Sequence, residues 1–112
     1  MNKDIDQEYS VAFTTGAVKD LKAKACKPHL KEIFDEIRVL EKDPLAGHLL
    51  EGSLAKVRSL RFSLKGSGQW RVAYYIKPEE KVCLVLLVGT RENFYEKANS
   101  RHRAINKSLG TL

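Results

Sequence analysis

The period of the hydrophobic positions changes along the chain, and each change marks a predicted element. Tyr9 to Phe13 (YSVAF) alternates as a short strand does, and Thr14-Thr15 then offers an N-cap. A helix follows from about Gly16 to Ala25, with Ala17, Val18, Leu21 and Ala25 at helical spacing and Lys19, Lys22 and Lys24 left to solvent. Pro28 suits the first turn of a second helix, in which Leu30, Ile33, Phe34, Ile37 and Leu40 form an apolar stripe. Asp43-Pro44 ends it, because proline disfavours the helical region for the residue before it. The short connection predicts an antiparallel helical hairpin lying on one face of a sheet.

Asp43 to Lys56 (DPLAGHLLEGSLAK) reads as a loop with turn residues Pro44, Gly47 and Gly52, pinned down by Leu45, Leu49, Leu50 and Leu54. Three strands come next, Val57 to Ser63, Trp70 to Ile76 and Lys81 to Val88, joined by Lys65-Gly66-Ser67-Gly68 and by Pro78-Glu79. Such short connections predict an antiparallel meander. Its third strand, VCLVLLV, is apolar on both faces and belongs at the centre of the sheet. A last helix is expected from about Glu92 to Ile105, with Arg91, Lys97, Arg101, Arg103 and Lys107 in or beside it. The fold class is therefore α+β: an N-terminal helical hairpin on a small antiparallel sheet, followed by a C-terminal helix. No repeat or linker divides the chain, so 1–112 reads as one domain, with residues 1–8 expected to fray.

Strand parity sorts the side chains between faces. Val72, Tyr74 and Ile76 form the core set of the second strand, which leaves Arg71, Ala73 and Tyr75 on the other face. In the preceding strand Leu60 and Phe62 go to the core together with Arg58, while Val57, Ser59 and Arg61 take the opposite side. Arg61 and Arg71 are thus expected to meet on the face that the helical hairpin leaves open. Arg91 should stand at its rim, where Gly89 relaxes the backbone as the chain leaves the sheet, with Tyr95 one helical turn later.

Charge adds a partner class to this picture. Lys and Arg number 20 against 14 Asp and Glu, a formal charge of +6 with a pI near 9.4, which favours a nucleic acid, an anionic membrane face or an acidic protein. The two cysteines, Cys26 and Cys83, form no CxxC pair or ligand cluster and read as reduced structural thiols. No metal motif is present. No run approaches the roughly 20 apolar residues of a membrane span, and the polar start MNKDIDQEYS carries no apolar leader, so a cytoplasmic location without a membrane partner is expected.

Three stretches give the chain a family resemblance. KDLKAK in the first helix, DPLAGHLLEGSLAKVRSLRF leading into the sheet, and WRVAYYIK followed by VCLVLLVGTREN and FYEKA resemble, in order and spacing, the RelE/ParE toxin family over roughly Tyr9 to Arg101. The resemblance implies a helical hairpin on a curved antiparallel sheet. It implies a type II toxin that enters the ribosomal A site and cleaves messenger RNA without metal or cofactor, is silenced by a cognate antitoxin, and meets operator DNA only as the toxin–antitoxin complex. Arg71, in WRVAYY, and Arg91, in GTREN, match the RNA-gripping positions, and Tyr95 matches the tyrosine of the last helix. Arg58, Arg61 and Lys65 correspond to the basic residues of the earlier strand, across a longer hairpin loop. The histidine that some relatives place near the chain end has no counterpart here. His102 lies beyond that place, and His29 and His48 read as surface or loop residues.

Cleavage by this route needs the ribose 2′-hydroxyl to attack phosphorus, charge to be stabilised on the phosphoryl oxygens, and the 5′-oxygen to leave with a proton. Guanidinium groups suit the middle task. A guanidinium gives up its proton too reluctantly to serve as a proton donor, so Arg71 and Arg91 act as electrostatic clamps. Tyr95 serves as proton shuttle or stacking platform. Glu51, Glu92 and Glu96 lie in the right neighbourhoods for a base, and none is singled out. Two other readings fit the same fold: a ParE-like inhibitor of DNA gyrase without nuclease activity, and an inactive member that only binds antitoxin and operator.

Overall fold

The alternating N-terminal segment forms β1, Ser10–Phe13, and the Thr14 hydroxyl accepts the Ala17 amide at 3.1 Å to start α1, Thr15–Lys22. The computed structural model describes residues 8–109, with side chains described through Ile105. Apart from Glu8, the segment expected to fray lies outside the described residues. Helix α1 stops three residues short of the expected Ala25, because Ala23 is extended and its amide turns back onto the Asp20 carbonyl. Pro28 opens a 3-10 turn, Lys27–His29, that runs into α2, Leu30–Ile37, and a second 3-10 turn carries the chain on through Arg38–Glu41. Ile33, Ile37 and Leu40 are buried as the stripe requires. Phe34 is the exception, 38% exposed with its ring edge-on to Phe13 at 5.8 Å.

Five strands make one sheet in the order β1-β5-β4-β3-β2, with β2 His48–Leu49, β3 Arg58–Leu64, β4 Gly68–Lys77 and β5 Val82–Thr90. The meander of β3, β4 and β5 is antiparallel as expected, and β5 lies inside the sheet. Two pairings depart from expectation. Strand β1 joins β5 in parallel, Ser10 opposite Val82 through Phe13 opposite Val85, so the sheet is mixed. Alternation fixes which side chains share a face, whereas strand direction depends on where the chain re-enters the sheet, here after the helical hairpin and three other strands. The segment read as a plain loop also contains β2, which pairs with the start of β3.

A bulge on β5 explains its unbroken apolar run. Ala73 opposes Leu87 and Tyr74 opposes Val85, which leaves Leu86 without a partner on β4 and resets the alternation. Cys83, Val85 and Val88 consequently face α1 and α2 together with Phe62, Trp70, Val72 and Tyr74. Leu86 and Leu87, adjacent in sequence, both face the other way. There they join Ala73, Leu54 and Val57 beneath Phe94 and Ala98 of α3, Phe94–Leu109. The second face is therefore not open as expected from parity. Its middle is a second small core, and Val57, assigned to that face, is fully buried. The Arg61–Arg71 part stays uncovered.

The anchor of α3 is polar. Beyond Val85 the outer edge of β5 has no strand beside it, since β1 ends at Phe13. In its place the Val88 amide donates to Asp20 Oδ2 at 2.9 Å, and the Leu86 carbonyl accepts Arg101 Nη1 at 2.9 Å. Arg101 also grips Asp20 with both terminal nitrogens, at 2.6 and 2.9 Å. These bonds to Asp20 raise the Arg101 guanidinium above its ordinary range against the opposing effect of burial. Gly16 leaves room for this clamp, as a Cβ there would meet the Arg101 side chain at 3.1 Å. Both cysteines are buried and free, and burial pushes the Cys83 thiol up to about 11, so it stays protonated and inert at neutral pH. Among the described residues no helix is long and apolar enough to cross a membrane.

Candidate nucleic-acid interface

Strand register sets the site. Arg61 lies directly opposite Arg71, and Arg71 opposite Gly89, which makes one row across β3, β4 and β5. The neighbouring row is His48, Ser59, Ala73 and Leu87 across β2 to β5. Direct partners project to one face, so both rows look toward the side on which α3 lies. Helix α3 covers Ala73 and Leu87 and stops short of the arginine row. The result is a cavity of about 450 Å³ walled by His48, Glu51, Ser59, Arg61, Arg71 and Tyr95 over Leu49 and Leu50.

Arg71 is held but not neutralised. Its guanidinium carbon lies 5.7 Å from the centre of the Phe94 ring and 5.9 Å from that of Tyr95, and Nη1 reaches the Tyr95 hydroxyl in a long contact of 3.5 Å. The ion pairs among the described residues are Lys31–Asp35, Arg38–Glu41, Lys42–Glu8 and Arg101–Asp20, so neither Arg61 nor Arg71 has a carboxylate within 4.0 Å. Like charges on directly opposed residues of an antiparallel pair repel. Two buried polar atoms on the same cavity wall, Ser59 Oγ and Arg71 Nε, have no hydrogen-bond partner at all. Two guanidiniums without a carboxylate partner on one cavity wall suit an anion with several acceptor oxygens.

Gly89 contributes by what it lacks. Its φ is not positive, which removes the expected role of relaxing the backbone, and a Cβ there would meet nothing within 4 Å. A strand glycine required neither by backbone nor by packing leaves space for the close approach of a ligand. Gly89→Ala is expected to raise unfolding stability by about 0.5–1 kcal/mol through the lost glycine entropy. Gly89→Leu is expected to fold as well and to weaken binding of a polyanion probe at the arginine row about tenfold, checked by thermal melting beside filter binding. Equal affinity of the leucine variant would show that the space is unused.

The other expected site residues are placed differently. Arg58 pairs with Tyr74 in register and its Nε donates to the Gly47 carbonyl at 3.2 Å, so it ties down the loop before β2. Lys65 is exposed in the β3–β4 turn, four positions beyond Arg61. Arg91 is exposed immediately after β5, where its carbonyl accepts the Phe94 amide at 3.2 Å, and it stands outside the cavity walls. Of the three glutamates considered, Glu51 lines the cavity, while Glu92 and Glu96 are exposed outside it. Parity had put Ser59 on this face without a role. His48 was missed as a site residue, because its place beside Ser59 follows from the β2–β3 pairing, for which a two-residue strand leaves no periodic signal.

Residues 11–99 match a family described as the ParE-like toxin of type II bacterial toxin–antitoxin systems. Among solved structures the chain is similar to one in the RelBE2 toxin–antitoxin complex of Mycobacterium tuberculosis, at 32% identity over 75% of this chain and 99% of that chain, with a TM-score of 0.60. The isolated RelE toxin of E. coli is 26% identical over 83% of this chain and 97% of that one, with a TM-score of 0.51. An arginine-substituted variant of E. coli RelE in the free state shares the fold, with a TM-score of 0.58 at 23% identity over 86% of this chain and 97% of the other. Comparison with curated proteins gives no match.

Proposed function

The chain belongs to the ParE-like toxins of type II bacterial toxin–antitoxin systems, and from the geometry of its arginine row, not from that membership, we propose that it is a metal-independent, ribosome-dependent endoribonuclease of the cytoplasm, cutting messenger RNA in the A site. The observation that carries this reading is the cross-strand pair Arg61–Arg71, unneutralised and flanked by the orphaned Ser59 Oγ and Arg71 Nε. A phosphodiester offers acceptor oxygens to both guanidiniums. Arg71, fixed by two aromatic rings, faces the phosphoryl oxygens and stabilises the charge that grows on them as the 2′-hydroxyl attacks phosphorus. Arg61 grips the same or the adjoining phosphate, and Tyr95 offers its ring to a base and its phenol to the reacting oxygens. Arg91 and Lys65, exposed outside the cavity, serve flanking phosphates. Arg58 acts on RNA only indirectly, through the loop it holds.

Orientation of the message by the ribosome supplies the near-attack geometry that a shallow, solvent-open site does not create by itself. The partner that silences the protein is an antitoxin, as in the solved RelBE2 complex, and an acidic segment suits a chain of charge +6. Operator DNA is a partner only of the joint complex. Primer extension on translated and untranslated copies of one message tests the proposal: cuts within codons of the translated copy alone are expected. Loss of DNA supercoiling with messages intact would replace it by gyrase inhibition, and harmless expression with neither effect would leave antitoxin and operator binding.

A further inference from the structure

The proposed cleavage has a phosphate grip but no assigned proton acceptor, and the cavity contains an imidazole in position to be one. We infer that His48 is the general base that takes the proton of the ribose 2′-hydroxyl. This assignment rests on the nuclease reading above and adds a residue to it.

Three observations carry it. First, His48 is the direct partner of Ser59 and so the diagonal neighbour of Arg61 on the same face, a separation of roughly 7–8 Å, about the span between adjacent groups of one sugar-phosphate unit. Second, its exposed ring follows a residue, Gly47, whose amide and carbonyl are both held. The Gly47 amide donates to the Tyr74 hydroxyl at 2.9 Å, that hydroxyl donates to the Pro44 carbonyl at 2.6 Å, and Arg58 Nε holds the Gly47 carbonyl at 3.2 Å. Gly47 packs so closely that a Cβ would lie 2.8 Å from both the Ser59 carbonyl and the Tyr74 hydroxyl. A solvent-facing side chain on a rigid mount is what proton transfer at a fixed distance requires. Third, His48 lines the same cavity as Arg61 and Arg71 and lies on the β2 side of that pair.

In the step, the imidazole lone pair removes the 2′-hydroxyl proton as the O2′–P bond forms. The P–O5′ bond breaks, O5′ takes a proton from water at the cavity mouth, and the imidazolium returns its proton to the hydroxide so formed. The products are a 2′,3′-cyclic phosphate and a 5′-hydroxyl, with no net proton change. Glu51 from the loop, Arg61 from β3, Arg71 from β4 and Tyr95 from α3 are the charged and titratable groups facing His48 across the cavity. Of these groups Glu51 is the carboxylate and so the rival for the acid limb of the profile.

The test is single-turnover cleavage on ribosomes programmed with a synthetic message, followed from pH 5 to 9. Wild-type rate should rise with pH to a plateau, since the neutral ring is the active form. His48→Gln should lower the rate about 10²–10³-fold, abolish that limb, leave affinity for the programmed ribosome unchanged, and regain part of its rate from free imidazole. A His48→Gln variant within threefold of wild type with the limb intact overturns the inference, as does a limb that vanishes in Glu51→Gln and persists in His48→Gln. Wild-type protein that cuts no programmed message overturns the nuclease reading itself.

Discussion

Arg71→Ala is expected to lower cleavage of a translated message by about 10²–10³-fold, the range found when one preorganised donor to a developing oxyanion is removed. That factor corresponds to roughly 3–4 kcal/mol of transition-state stabilisation. The fold should hardly notice. Arg71 makes no ion pair, its two ring contacts contribute about 0.5–1 kcal/mol each at a partly exposed site, and its removal relieves the repulsion from Arg61 across the ladder. Arg71→Lys keeps the charge but loses the planar fork and the ring stacking, so it should recover only a small part of the rate. Cleavage measured beside thermal melting separates the two effects. A folded Arg71→Ala protein that arrests growth as fast as the wild type would show that the cavity is not where RNA is cut.

The second large effect concerns stability. Asp20→Ala strands the Arg101 guanidinium and the Val88 amide at a sheet edge that no strand covers. Removing one partner of a buried pair costs roughly 3–5 kcal/mol; with 29% of the Arg101 side chain and 16% of that of Asp20 still exposed, about 2–4 kcal/mol is expected. The melting temperature should fall by on the order of 10–20 °C in a domain of this size. Asp20→Asn preserves an acceptor for the Val88 amide and should lose less. The double variant Asp20→Ala, Arg101→Met should recover part of the single loss, because no charge is then left unpaired. A single Asp20→Ala loss below about 1 kcal/mol would class the clamp with solvated surface pairs. Hydrogen exchange adds a spatial readout: protection should drop first in α3, whose Tyr95 and Phe94 hold Arg71.

The two predictions address different levels of the same arrangement. Arg101 and Asp20 set α3 against β5, α3 sets the rings around Arg71, and the ladder sets Arg71 against Arg61. The geometry of the cavity is therefore supported by a charge pair on the outer edge of β5.

What the sequence determined by itself was local. Thr14 caps a helix because a hydroxyl beside free amides is sufficient for it, and the glycines of the β3–β4 turn, Gly66 and Gly68, take positive φ because they lack a Cβ. Alternation in β3 and β4 placed Arg61 and Arg71 on one face, since parity is a property of a single strand once it forms. The tertiary structure decided everything that depends on which distant segment comes alongside. Parallel pairing of β1, the β5 bulge that turns Leu86 and Leu87 to one side, and the closure of the second face by α3 all arise from contacts across long stretches of chain. Placement of His48 beside Ser59 and of Arg91 outside the cavity has the same origin. A side chain's face is written in the residues on either side of it, but its neighbours across the ladder are set by the register that lets both cores fill.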